Sequence, residues 1–393
     1  MTVSLLDVRF LILLSLVCIG RAFWPRRHYA LLGALASATL VAIGSVQTFL
    51  AIAGITILYI LPVHRLMRAS AQGERGAIRR RLLLCIGIAG LVGLLITFKI
   101  YNAFSIPMLG GRWLDASFVS LVGFSYFLFR AISFLHIQSI LDFNERSPWG
   151  LLYYFLFPPT LTSGPIQKYQ DFNGQLKAPE PLTWGLASSA VYRITRGYFR
   201  KLVLAGALSG IVDWLLAQGV ATPLTSVLIV VALYVYFYFD FAGYSDIAIG
   251  FGLFLGIRVP ENFKKPFLAT SVTEFWRNWH ISLVDWFRDH VFIPLGGMSG
   301  SRLRSGALAF LIMVLCGLWH GLTKSFLIWG LWHGTMLFLE AVMGSRPMPP
   351  SQRKGWVYWS RVLWTNARVA IASLLFLPQA TIQSVIGGFV NWS

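Results

Sequence analysis

Charged residues are scarce in this chain. Only 12% of the 393 residues are charged, whereas 56% are hydrophobic. A soluble domain carries about 25% charged residues. With so few charges the fold cannot cover itself with a water-facing surface, so the composition excludes an ordinary soluble protein and predicts one large helical domain in a lipid bilayer. The 15 Trp, 14 Tyr and 30 Phe are typical of interfacial belts and ring-lined cavities.

Cysteine is also rare, with three residues in the whole chain. Cys18, Cys85 and Cys316 each lie inside an apolar run, which predicts small buried hydrophobic side chains and no disulfide framework. No HExxH, Walker A or GxGxxG motif is present, and no Ser/His/Asp order indicates a triad. Scattered histidines leave metal ligation as a weak alternative, so no metal ligands are predicted.

Acidic residues are too few to balance the basic ones, and the net charge is +18. In a soluble protein this excess would indicate nucleic-acid binding. Here Lys and Arg lie mainly in short loops between apolar runs, as the positive-inside rule predicts, and no basic domain lies outside the membrane. We therefore expect no nucleic-acid partner. Arg21, Arg26 and Arg27 follow the first apolar run, which favours a retained first helix over a cleaved signal.

Apolar runs of membrane-crossing length predict a polytopic all-α protein with about ten to eleven spans, since about 20 apolar residues cross a bilayer. The predicted spans are 5–20, two within 29–63 that separate near Gly44 to Gln47, 82–98, 118–141, 203–218, 223–242, 305–320, 321–343 and 356–377. Proline and glycine interrupt 151–166, and 243–257 is Gly-rich, so both are predicted to be re-entrant or interfacial. Residues 272–293 form an amphipathic stretch.

Two of the seven histidines stand out by their surroundings. His280 and His320 each follow a tryptophan inside or beside an apolar segment, where an ionisable group marks either a function or an internal pair. His320 lies at a break between two apolar helices. A desolvated imidazole stays neutral and can accept a proton from a hydroxyl. The alternative is a core histidine that hydrogen-bonds a carbonyl of a neighbouring helix, and the residues alone do not separate the two.

Three of the remaining histidines have more ordinary interpretations. His28 and His64 flank spans in basic loops and are predicted to be interfacial. His333 lies 13 residues after His320, so the two could share one helix, and a structural role is favoured for it.

Two aspartates lie among aromatic residues in an apolar segment and need partners there. Asp240 and Asp246 are predicted to form structural ion pairs, with Arg130 and Arg258 as candidate partners. A transporter with such residues along its path is an alternative of another class. Inverted repeats would favour it, and the sequence contains none.

Six segments in a fixed order are similar to one family. They are FPPTLTSGPIQKY at 157–169, DFAGYSD at 240–246, PENF with PF at 260–267, EFWRNWHISL at 274–283, WFRD at 286–289 and GLWHG at 317–321. Their combination resembles the membrane-bound O-acyltransferase (MBOAT) family, in its bacterial DltB/AlgI branch of D-alanyl transfer and alginate O-acetylation proteins. The resemblance covers at least residues 118–345, within a single predicted domain of residues 1–393.

This resemblance implies a role for individual residues. His320 would be the catalytic residue and His280 its support, in a ring of tilted helices around a central funnel or tunnel. The supporting residues along the substrate path would be Trp276, Arg277, Asn278, Trp279, Trp319, Ser163, Gly164, Pro165, Tyr244, Asp246 and Asn262.

The implied reaction is acyl transfer from a thioester to a hydroxyl, with no bound cofactor. The donor would be a carrier-protein phosphopantetheine thioester or acyl-CoA on the cytoplasmic side of the bacterial inner membrane. Both donors are acidic and suit the basic residues Lys264, Lys265, Arg302 and Arg304, which could equally only set topology. The acceptor would be a cell-envelope polymer, with membrane lipid and possible small membrane or periplasmic proteins as partners.

Two acyl groups fit the residues. The short chain, TSGP at 162–165 and HGLT at 320–323 are closer to the D-alanyl branch. FWR at 275–277, HISL at 280–283 and IPLGG at 293–297 are closer to the O-acetyl branch. D-alanyl transfer is favoured modestly over polysaccharide O-acetylation.

Overall fold

The computed structural model describes residues 5–70, 73–104, 123–140, 148–218, 222–297, 300–345, 347–377, 381–383 and 385–386. The regular elements among them are helices, and one isolated bridge joins Phe263 to Trp279. Among the described residues, the α-helices of the first half are α1 Val8–Gly20, α2 Tyr29–Gly44, α3 Val46–Ile55, α4 Leu61–Arg68, α5 Glu74–Phe104, α6 Phe124–Ile140, α7 Pro148–Leu156, α8 Pro158–Leu161, α9 Tyr169–Lys177 and α10 Trp184–Tyr198. Those that follow are α11 Ala205–Ala217, α12 Pro223–Phe254, α13 Val272–Asn278, α14 Ile281–Phe287, α15 Arg302–His320, α16 Lys324–Val342 and α17 Gly355–Ile371.

Six helical stretches of the described residues are long and apolar enough to cross a membrane. They are Arg26–Gly44, Val46–Arg68, Glu74–Tyr101, Pro223–Phe254, Arg302–His320 and Lys324–Val342. A chain with several such helices is a multi-pass membrane protein, as predicted. The predicted division of 29–63 is confirmed, because Ser45 interrupts the helix and caps α3 by accepting a hydrogen bond from the Thr48 amide at 3.2 Å. Residues 118–122 and 141 of another predicted span lie outside the described residues.

The chain folds into two compact units, each built from two separate stretches of sequence. The first unit comprises Met1–Thr195 with Tyr244–Pro260, and the second comprises Arg196–Gly243 with Glu261–Ser393. His280 and His320 both belong to the second unit.

In the first unit, the predicted interruption of segment 151–166 is present. Prolines at 158 and 159 separate α7 from the single turn of α8, and no helix follows until Tyr169. Arg130, only 1% exposed, donates hydrogen bonds to the Tyr154 carbonyl at 2.9 Å and to both oxygens of Thr160. The guanidinium thus satisfies carbonyls that interrupted helices leave without backbone donors. Arg130 therefore stabilises the break, and the prediction that it pairs with an aspartate is wrong.

The ion pairs of the two aspartates are present, but their partners are not those predicted. In the first unit Asp246 pairs with Arg193 at 3.2 Å, and Arg258 pairs with Glu180 at 2.6 Å. In the second unit Asp240 pairs with Lys201. Residues distant in the sequence meet here because their helices pack side by side, which is a tertiary property.

The prediction of a re-entrant or interfacial piece at 243–257 is wrong. Helix α12 runs without interruption for 32 residues from Pro223 to Phe254. Its glycines permit close packing and do not break the helix: a Cβ on Gly250 would lie 2.8 Å from the Ala190 carbonyl oxygen. Glycine clusters in membrane helices often serve such backbone contacts.

Two further sequence-based expectations need correction. His64 does not lie in a loop: it lies on α4, is 5% exposed, and its ring centroid is 5.2 Å from that of Phe134. Cys18 and Cys316 are buried as predicted, but Cys85 lies on an exposed face of α5.

In the second unit, α15 and α16 form a tightly packed hairpin that carries His320 at its bend. α15 ends at His320, Gly321 is extended, and the Thr323 hydroxyl caps α16 by accepting a hydrogen bond from the Phe326 amide at 3.3 Å. The predicted break beside His320 is confirmed. The expectation that His333 could share its helix is wrong, because His333 lies on α16.

Glycines set the separation of these two helices. A Cβ on Gly317 would lie 2.3 Å from the Phe326 carbonyl oxygen, and one on Gly330 would lie 2.7 Å from that of Met313. Contacts this short cannot be relieved by a side-chain rotation, because the opposing atoms belong to the backbone.

We expect Gly317→Ala to push α15 away from α16 and to lower the free energy of unfolding by about 1–3 kcal/mol. The measurement is thermal unfolding of the purified protein in detergent. Gly93→Ala is the matched control, because no atom lies within 4 Å of a Cβ added there. Equal unfolding temperatures of the two variants would contradict the tight-packing interpretation.

Candidate active site

A short antiparallel pairing holds His280 in an unusual backbone conformation. The Lys264 amide donates to the Asn278 carbonyl at 2.9 Å, and the Ile281 amide donates to the Asn262 carbonyl at 3.0 Å. This pairing divides the amphipathic stretch 272–293 into α13 and α14. His280, between the two helices, has φ 47° and ψ 49°, the left-handed region that residues other than glycine seldom occupy. Strain of this kind is concentrated at functional sites.

Asn262 determines which nitrogen of His280 carries the proton. The Asn262 Oδ1 atom accepts hydrogen bonds from the Ser282 amide at 3.2 Å and from the Ser282 hydroxyl at 2.9 Å. Because an amide donor identifies this atom as oxygen, the His280 Nδ1 atom, 3.2 Å away, must be the donor. The neutral ring therefore presents an unprotonated Nε2, and this atom has no hydrogen-bond partner among the described residues.

Burial, with a smaller contribution from the charge of nearby His320, lowers the pKa of His280 to about 3. The side chain is only 4% exposed, so water does little to stabilise a positive charge. His280 is thus held neutral at physiological pH. The charge of His320 acts on His280 although the two residues are 40 positions apart in the sequence, and both belong to the second unit.

This lowered pKa predicts how stability depends on pH. An unfolded histidine has a pKa of about 6.5, so between that value and the folded value only the unfolded chain binds a proton at this position. The contribution of neutral His280 to the free energy of unfolding is fully present above pH 6.5. It is lost as the pH falls, at up to about 1.4 kcal/mol per pH unit. Thermal unfolding at pH 7.5 and 5 should show a smaller loss in His280→Asn than in the wild type. Exposed His28, replaced by Asn, is the control, and an unchanged pH dependence in His280→Asn would contradict the assignment.

Aromatic rings surround His320 at the end of α15. Its ring centroid lies 5.6 Å from that of Phe326, 5.3 Å from Trp329 and 5.4 Å from Phe376, with Trp319 at 4.8 Å. The side chain is neither fully buried nor fully exposed. The surrounding rings restrict the orientation of the imidazole, and its partial exposure leaves it accessible to a substrate.

A second aromatic group links α13 to α16. The Trp276 ring lies 5.0 Å from His333 and 5.6 Å from Trp329, and His333 is 1% exposed. Trp276 Nε1 and His333 Nδ1 have no hydrogen-bond partner among the described residues. Trp329 contacts both His320 and His333, so the two histidines belong to one continuous ring cluster.

The other residues predicted in this unit have different surroundings. Trp279 stacks on Phe275 at 5.4 Å, and the Asn278 side chain donates to the Glu274 carbonyl at 2.9 Å. Arg277 is exposed on α13. The predicted docking cations Lys264, Lys265, Arg302 and Arg304 are also exposed. No group of three or more metal-ligating side chains occurs in the part of the chain that the structure describes.

Five predicted site residues lie in the first unit. The Tyr244 hydroxyl hydrogen-bonds the Thr162 hydroxyl and accepts a hydrogen bond from the Ser163 amide at 3.4 Å. Gly164 and Pro165 are buried, and a Cβ on Gly164 would lie 2.4 Å from the Thr160 Cα. Asp246 is held by Arg193. Within this unit the Tyr244 hydrogen bonds join the interrupted segment to α12.

Sequence reasoning missed two acidic residues beside the histidine cluster. Glu340 on α16 is 5% exposed and Glu274 on α13 is 8% exposed, and both hold several hydrogen bonds. A lone glutamate inside the predicted span 321–343 was the available signal, because a carboxylate in an apolar span is costly without partners. Phe376 was missed as well, because nothing in its local sequence indicates contact with His320.

Comparisons with known proteins place this chain in a family. The family model for "MBOAT, membrane-bound O-acyltransferase family" matches residues 113–376. A probable alginate O-acetylase of Pseudomonas syringae pv. tomato is 36% identical over 58% of this chain and 44% of its own length. A teichoic acid D-alanyltransferase of Streptococcus thermophilus is 33% identical over 70% of each chain. A peptidoglycan O-acetyltransferase of Helicobacter pylori is 33% identical over 46% of this chain and 35% of its own length.

The alignments with the alginate relatives span 44% to 56% of those proteins, about half of their length. The family model, in contrast, covers about two thirds of this chain and includes both His280 and His320. The chain therefore belongs to the membrane-bound O-acyltransferase family.

Proposed function

We propose that this protein is an enzyme that transfers an activated acyl group from a thioester donor to a hydroxyl of a cell-envelope polymer. Family membership and the named activities of the relatives support O-acyl transfer. The single observation that carries the proposal at the site is that Asn262 keeps the Nε2 atom of buried His280 unprotonated, in the same compact unit as the partly exposed His320.

In this mechanism His320 is the general base. Its unprotonated ring nitrogen accepts the proton of the acceptor hydroxyl while the oxygen attacks the thioester carbonyl carbon. A new C–O bond forms, the C–S bond breaks, and the thiolate leaves. The departing sulfur then takes the proton from His320, which restores the neutral imidazole and balances the reaction.

His280 supports this step from a fixed position. Its Nε2 can accept only, so it can bind an N–H of His320 while the other His320 nitrogen acts as the base. Since burial disfavours a second positive charge, His280 does not compete for the acceptor proton. Direct transfer to the hydroxyl requires no covalent enzyme intermediate, and we propose that form.

The acyl group proposed first is D-alanyl, delivered as a carrier-protein phosphopantetheine thioester. The alignment with the Streptococcus thermophilus D-alanyltransferase over 70% of both chains favours it. The second candidate is acetyl, from acetyl-CoA or another thioester. The 36% identity to the alginate O-acetylases favours that candidate. Exposed Lys264, Lys265, Arg302 and Arg304 give either acidic donor a site of electrostatic attraction.

The proposed location is the bacterial cytoplasmic membrane, with the donor on the cytoplasmic side and the acceptor polymer on the other. A central tunnel between the two sides, and Ser163, Gly164, Pro165, Tyr244 and Asp246 along it, belong to this proposal. Small membrane or periplasmic proteins are proposed as further partners.

The test is the chemical identity of the ester lost when the gene is deleted. Envelope polymers of the wild type and the deletion strain are treated with mild base, and the released acids are separated. Loss of D-alanine identifies D-alanyl transfer, and loss of acetate identifies acetyl transfer. Unchanged amounts of both acids would refute the proposal. If the His320→Ala protein restored the wild-type ester content to the deletion strain, a transporter would be indicated instead of an enzyme.

A further inference from the structure

Glu340 is a buried carboxylate that the proposed mechanism does not use. It lies on the apolar helix α16 and is 5% exposed. Its Oε1 atom accepts a hydrogen bond from the Val272 amide at 2.8 Å. Its Oε2 atom accepts hydrogen bonds from the Thr273 amide and the Thr273 hydroxyl, both at 2.9 Å. A carboxylate buried to this extent is stable because three donors satisfy it.

Two of these donors are the first amides of α13. The first amides of a helix have no acceptor within the helix itself. In α13 the Ser271 hydroxyl accepts a hydrogen bond from the Glu274 amide at 3.1 Å, which is an ordinary N-cap. The Val272 and Thr273 amides instead use a carboxylate from a different helix, 68 and 67 positions away. The start of α13 is therefore fastened to α16 by side-chain hydrogen bonds.

Two arginines neutralise the acidic residues at this junction. Arg368 on α17 lies 3.7 Å from Glu340, and Arg353 pairs with Glu274 at 2.6 Å. Glu274 also accepts hydrogen bonds from the Thr270 amide and hydroxyl, both at 2.8 Å. The residues on both sides of Ser271 are therefore held by carboxylates: Thr270 by Glu274 and Val272 by Glu340.

The fastening has consequences for the histidines. α13 leads directly to His280, and its Trp276 packs on His333 and Trp329 of α16. Trp329 in turn packs on His320. Glu340 follows His333 by about two helical turns on the same helix. Glu340 and Trp276 therefore fix α13 to α16 at two points.

We propose that Glu340 is a positioning residue, which sets the distance between His280 and His320 by binding the first amides of α13. The inference rests on the proposed function for its effect on turnover, whereas the fastening itself is independent of that function. Glu340 does not touch substrate. Replacing Glu340 should lower kcat, because misplacement of a catalytic group by about 1 Å lowers the rate on the order of 100-fold. KM for the acceptor should stay within about two-fold of the wild-type value, since Glu340 does not bind the acceptor.

The first measurement is hydrogen exchange followed by mass spectrometry on peptides that cover 270–280. In Glu340→Ala the Val272 and Thr273 amides should exchange at least about 10-fold faster than in the wild type, since they lose charged acceptors. Glu340→Gln keeps one carbonyl acceptor and the side-chain volume, so both its exchange and its kcat should lie between those of Ala and the wild type. Glu180→Gln, at an exposed ion pair, is the matched control and should change neither.

Unchanged exchange at Val272 and Thr273 in both Glu340 variants would overturn the fastening. Faster exchange with wild-type kcat would overturn the positioning role. If Glu340→Ala does not fold, Glu340→Gln and Thr273→Val decide the same questions, because each removes fewer bonds. Faster exchange in the variants, together with no acyl transfer by the wild type, would refute the proposed function and leave the fastening established.

Discussion

Replacing His320 with alanine should lower the rate of acyl transfer by on the order of 10³-fold, because a positioned general base contributes about 10² to 10⁴. The variant should remain folded, since the side chain is partly exposed and its neighbours are aromatic rings that can repack. The measurement is single-turnover transfer of a labelled acyl group in proteoliposomes, with the envelope polymer as acceptor.

The matched control for this prediction is His28→Ala. His28 is exposed and lies in the short helix Arg26–His28, so its removal should leave the rate unchanged. If His320→Ala keeps more than about one tenth of the wild-type rate, the general-base role is excluded. A loss of rate accompanied by aggregation would instead be tested with His320→Gln, which preserves more of the side-chain volume.

Replacing Asn262 with leucine should give the second-largest effect. Asn262 is 0% exposed, and its Oδ1 accepts hydrogen bonds from the His280 ring, the Ser282 amide and the Ser282 hydroxyl. Leaving three buried donors unsatisfied should lower the free energy of unfolding by about 3 kcal/mol or more. Turnover should fall as well, because nothing then keeps the proton of His280 on Nδ1 and it can move to Nε2.

Asn262→Asp separates the two effects of that substitution. The carboxylate retains acceptors for all three donors, so stability should be closer to that of the wild type than in Asn262→Leu. Its negative charge favours protonated His280, which then carries a proton on Nε2 and cannot accept a hydrogen bond there. Turnover at neutral pH should therefore remain low. Wild-type stability and turnover in Asn262→Leu would show that Asn262 does not orient His280.

Local signals predicted several features that the structure confirms. Prolines at 158 and 159 broke the helix where expected, because proline removes a backbone donor. The division between the apolar runs 305–320 and 321–343 predicted the bend between α15 and α16 at His320. Motif resemblance also selected Asn262, His280 and His320, which all lie in the second unit. The roles of the last two remain predictions.

The errors share a different origin. Arg130 was expected to pair with an aspartate, yet it holds carbonyls of α7 and α8. The glycines of 243–257 were taken for a break, yet they permit close contact along a continuous α12. In both cases the partner lies far away in the sequence, and composition carries no information about which helix face it will meet.

Composition and the order of apolar runs by themselves determined that this chain crosses a membrane as many helices, because lipid excludes charge and unsatisfied backbone wherever they occur. The ordered motifs indicated the family and selected the two histidines as candidates. Only the tertiary structure decided that Asn262 selects the tautomer of His280, that Trp329 packs on both His320 and His333, and that Glu340 holds the start of α13. These contacts depend on hydrogen-bond geometry between helices distant in the chain, and that geometry exists only after the helices have packed.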